Sequence, residues 1–143
     1  MRALFAHLRH DVRGSTVVEF AILAPLIFGM IFGVIQVGSA MQSYNAMRGI
    51  ASDTARYAVI EYQKKNEVTD AALETYAKGI ATKAPYLLQS SFAATVTPVA
   101  ASRVDGTFEK TLVVTYTPPS YMPIIPITPP QLKFTRSIFV IDE

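Results

Sequence analysis

The sequence predicts an α+β protein of pilin-like architecture: one long amino-terminal helix, a second helix, and a small antiparallel sheet of three to four strands. Three observations carry this expectation. A single uninterrupted apolar run lies near the amino terminus, apolar residues then recur at three- and four-residue steps as far as Ala84, and the last third switches to a period of two.

The apolar run extends from Val17 to Val37, 21 residues whose sole charge is Glu19. A bilayer core takes about 20 helical residues, so one membrane span is expected. Before it, Arg2, Arg9 and Arg13 against Asp11 give Met1 to Gly14 a charge of +2, while the rest of the chain sums to zero. A short basic segment directly before a span holds the amino terminus in the cytoplasm and sends the remainder outward. A conventional secretory signal would instead end in a cleavage site with the mature polar protein after it. Gly38, Ser39 and Ala40 mimic such a site, but cleavage there would discard an apolar segment longer than ordinary.

Past the span, Met41, Tyr44, Met47, Ala51, Ala55, Ala58 and Tyr62 continue the helical spacing and form a stripe suited to covering the domain, while Asn45, Gly49, Ser52, Asp53 and Arg56 make the opposite, polar face. One helix over residues 15–64 would measure about 75 Å and must protrude from the membrane. Thr69 caps a second helix with apolar positions Leu73, Tyr76, Ala77, Ile80, Ala81 and Ala84, closed by Pro85. Asp70 and Glu74 lie early and Lys78 and Lys83 late, in accord with the helix dipole, and Glu74 with Lys78 is an i,i+4 pair.

Alternation over Phe92–Val99, Thr107–Thr117 and Leu132–Ile141 predicts three strands, with a turn at Asp105-Gly106 making the first two a hairpin. Between the second and third, Pro118 to Pro130 holds six of the nine prolines and is neither strand nor helix. Tyr121, Met122, Ile124 and Ile125 there put large apolar side chains on a stiff backbone and are candidates for a partner contact. The expected organisation is a leader over 1–14, a transmembrane and assembly helix over 15–64, and an extracytoplasmic domain over 65–143.

Composition excludes several functions. The chain has no cysteine, and its two histidines, His7 and His10, precede the span. Neither a thiolate nor an imidazole is therefore available downstream for metal ligation, nucleophilic catalysis or base chemistry, and no glycine-rich phosphate loop is present. No enzyme activity, cofactor or metal is expected, and the balanced charge after Gly14 gives nucleic acid no surface.

The informative cluster is Arg13-Gly14-Ser15-Thr16-Val17-Val18-Glu19-Phe20. A carboxylate in hydrocarbon is costly and functional by default. Glu19 either takes a cation within the membrane or lies close enough to the interface to reach water. In the same helix, Pro25 removes one backbone hydrogen bond, and Gly29 with Gly33 is a pair that lets two helices approach closely.

The cluster resembles a prepilin cleavage site. The resemblance implies cleavage by a membrane-embedded prepilin peptidase between Gly14 and Ser15, with Glu19 as the assembly glutamate beside Phe20. The longer run from Arg13 to about Arg56, with Pro25, the stretch Gly33 to Gly38 and the pair Ala55-Arg56, is similar to the TadE-like family, pseudopilins of the tight-adherence (Tad, or Flp) type IV pilus, and to the related TadF-like proteins. That resemblance implies a minor pilin taking part in initiation, assembly or tip formation of an adhesive pilus. Its implied partners are the peptidase, other pilins, the inner-membrane assembly platform and membrane lipid. Two other readings stay open: an uncleaved inner-membrane anchor carrying a periplasmic binding module, and a secretion-system pseudopilin.

Overall fold

The computed structural model describes residues 13–88, 91–121 and 128–141. Helix α1 spans Arg13–Gln63, 51 residues without interruption, and runs through Pro25. It starts two residues before the expected Ser15, so Gly14 and Ser15 both lie in its first turn. Helix α2 spans Asp70–Ala81, and the Thr69 hydroxyl caps it by accepting the Ala72 N–H at 3.3 Å. It ends three residues short of Ala84, which is exposed. The Leu88 N–H donates to the Ala81 carbonyl at 2.8 Å, so the returning chain takes up a carbonyl at the helix end.

Strands β1 (Ala93–Pro98), β2 (Thr107–Tyr116) and β3 (Leu132–Ile141) form a sheet of order β1-β2-β3, antiparallel throughout. Alternation sorts the side chains as the period-two pattern requires. Ala94, Val96, Leu112, Val114, Ile138 and Val140 point to the helices and are buried, while Thr95, Thr97, Thr111 and Thr135 take the other face. At the turn before β2, Gly106 has φ +73°, the left-handed conformation that glycine adopts without strain.

Both helices lie on one face of the sheet, α1 over β3 and β2, α2 over β1. Met47, Ile50, Ala51, Thr54 and Ala58 of α1 are fully buried with Leu73 and Ala77 of α2. Between the helices, the Tyr57 and Tyr76 rings stack at 4.1 Å. Ser43 and Thr54, polar residues drawn into this core, donate to the carbonyls four residues back, at 2.9 and 2.8 Å. The buried stretch of α1 covers about 30 Å, the length of a ten-residue strand at about 3.3 Å per residue, so helix and sheet match end to end.

Two parts of the expected stripe differ. Met41 and Tyr44 stay exposed, because the core begins only near Ser43. The face expected to be polar is partly covered: Tyr86 lies across Gly49 and donates its hydroxyl to Asp53 at 2.7 Å, and Arg136 of β3 donates to Ser52 at 3.1 Å. A Cβ on residue 49 would come within 2.5 Å of the Tyr86 ring, so glycine is what lets that ring approach.

Candidate functional site

The inner half of α1 stands clear of the domain. Val17, Ile22, Leu26, Met30 and Val34 are each more than half exposed, reaching 74% at Val34. Leaving so many branched and aromatic side chains in water would cost more than a small domain gains on folding. The helix is long and apolar enough to cross a membrane, and the physical sense of the exposure is a membrane anchor.

Glu19 and Phe20 are both exposed on this segment, Glu19 one helical turn beyond Ser15. Gly29 and Gly33 have open space where a side chain would stand, so none of the described residues occupies the groove they make. The structure thus places Gly14, Ser15, Glu19, Phe20, Pro25, Gly29 and Gly33 on one continuous helix, apart from the folded core. Residues 14–56 match the model of the family described as TadE-like protein. No curated protein and no solved structure matches the chain. The TadE-like segment takes in the exposed part of α1 and most of its packed part, and stops at Arg56 before α2 and the sheet.

Tyr121 lies far from Glu19, at the lower end of the domain, and is 42% exposed. Met122, Ile124 and Ile125 fall outside the described residues. What holds Tyr121 there is a contact that sequence reasoning missed. The Gln36 amide donates to the Pro119 carbonyl at 3.1 Å, and its oxygen accepts the Tyr121 N–H at 2.9 Å. The only signal in the sequence was a lone amide within an apolar run.

A second missed group lies on the outer face of the sheet. Glu109 of β2 is 3% exposed and is gripped by Arg103 from the hairpin loop, whose Nε is 2.9 Å from Oε1. The guanidinium also lies 5.6 Å from the Phe139 ring centroid and donates to Ser137. Hydrogen bonding from Arg103 holds the Glu109 carboxyl down at about 2 against the pull of burial. The pair staples the loop onto β2 and β3. Among the described residues, no three His, Cys, Asp or Glu side chains gather as metal ligands.

Proposed function

We propose that this chain is a pilin-like subunit of a Tad-type pilus. A prepilin peptidase cuts it between Gly14 and Ser15, and α1 holds it in the bacterial inner membrane with its domain in the periplasm. The processed helix then joins other pilins at the assembly platform, to initiate, build or tip an adhesive pilus. The observation that carries this reading is the placement of Glu19 one turn beyond Ser15 on an exposed, membrane-length, TadE-like helix. Cutting after Gly14 would leave an ammonium on Ser15, about 6 Å along the axis from Glu19. Within a low-dielectric membrane or filament core, such a pair attracts strongly and fixes axial register between neighbouring helices.

Mass spectrometry of the chain purified from membranes, with and without an active prepilin peptidase, tests this. The expected mature terminus is Ser15, and Glu19→Ala is expected to leave processing intact while abolishing pili. A chain that keeps Met1 to Gly14 beside an active peptidase, or pili unaffected by Glu19→Ala, would overturn the reading in favour of a plain anchor.

A further inference from the structure

Gln36 lies 20 residues beyond Thr16, about 30 Å along the helix, which is the thickness of a bilayer's hydrocarbon core. Its clamp on Pro119 and Tyr121 therefore fixes the start of the proline-rich segment at the depth where α1 leaves the membrane. The segment between α2 and β1 arrives at the same level. Leu87 lines a cleft of about 210 Å³ together with Ser39, Gln42, Pro119 and Tyr121. It holds a left-handed backbone, φ 52°, and is 69% exposed. A branched side chain is strained there, and neither its conformation nor burial in the core explains a leucine.

Charge is distributed to match. Gln36 to Met47, Ala84 to Leu88 and Thr117 to Tyr121, which meet at this lower end, contain no Asp, Glu, Lys or Arg. Exposed Lys83 borders the second, and exposed Lys133 pairs with Thr115 just before the third. The opposite end of the domain carries Glu61, Lys64, Asp70 and Lys110. The clamp also lowers the penalty of bringing irregular backbone to a bilayer at residues 118–121. Gln36 satisfies the Pro119 carbonyl and the Tyr121 N–H, and Pro118 and Pro119 have no N–H to satisfy.

We infer that the lower end of the domain, with Leu87 and Tyr121 at its centre, is a membrane-contact collar that seats in the lipid headgroup and upper acyl region around α1. Tyrosine at this depth suits the interface, and lysines at the rim reach lipid phosphates. The collar would fix how deeply and at what angle the domain sits on the bilayer. It rests on reading α1 as membrane-spanning.

The chain lacks tryptophan, so single reporters can be placed cleanly. Tyr121→Trp, Leu87→Trp, Phe28→Trp and Phe108→Trp full-length variants would each be reconstituted alone into phosphatidylethanolamine–phosphatidylglycerol vesicles, with or without lipids brominated near the headgroup or deep in the chain. Phe108 is half exposed and borders Tyr62 at the far end of α1. The expected result is blue-shifted emission at positions 121 and 87 that loses most of its intensity to the shallow bromines. Position 28 should be quenched by the deep bromines and position 108 by neither. Unquenched emission at 121 and 87 with position 28 still quenched would overturn the collar and leave the span standing. Loss of quenching at position 28 as well would overturn both. Emission at 121 and 87 that shifts to the blue only after pilins are added, and stays unquenched by either brominated lipid, would overturn the collar in favour of a protein contact.

Discussion

Glu109 shows how one residue on an otherwise exposed sheet face can become structural. Its carboxylate is buried because Arg103 folds over it, and the guanidinium offsets the cost of removing that charge from water. The carboxyl titrates near 2, below its ordinary 4.5, so folding favours the ionised form. The stabilisation is complete above the ordinary value and is lost as pH falls through about 2. The hairpin loop is therefore expected to stay closed at pH 4 and open only in strong acid. In Arg103→Ala, the remaining burial should push the Glu109 midpoint to or above its ordinary value. Carbon-detected NMR titration of the Glu109 carboxyl checks both.

At the scale of elements, α2 does more than cover the core. Glu74 sits 3.9 Å from Lys78, as the i,i+4 spacing leads one to expect, yet its other oxygen accepts the Val96 N–H of β1 at 2.9 Å. An edge strand presents unpaired backbone groups that invite association, and here a helix side chain occupies one of them. Glu74→Ala is expected to lose about 1 kcal/mol and to speed amide exchange at Val96 selectively. Exchange unchanged at Val96 would show that the bond contributes nothing. The contrast between Lys78 and Val96 also marks what local pattern reveals. The strands followed from alternation, α1 from its spacing, and the α2 start from Thr69, because period and caps are properties of neighbours in the chain. Tyr86 over Gly49, Arg103 on Glu109 and Gln36 on Pro119 join residues brought together only by folding. The Gly14 and Glu19 pattern stands out in the sequence for the opposite reason, since an acid within an apolar run is conspicuous wherever the domain packs.

For the whole molecule, the core begins near Ser43, and among the described residues every fully buried large side chain lies at Met47 or beyond. A fragment starting at Gly38 is therefore expected to fold with native-like dispersion and cooperative thermal unfolding, losing only the Gln36 clamp. Circular dichroism and NMR of that fragment check this; a molten fragment would mean that the clamp and the inner helix are needed for the fold. The TadE-like match crosses this division, taking in the exposed part of α1 and its packed part as far as Arg56.

That α1 is continuous from Arg13 to Gln63, with its upper half forming the centre of the domain, has a mechanical meaning. No joint separates the rod from the head. A twist or lift applied to the rod beyond Pro25, whose missing N–H loosens one turn, passes to the head along unbroken helix.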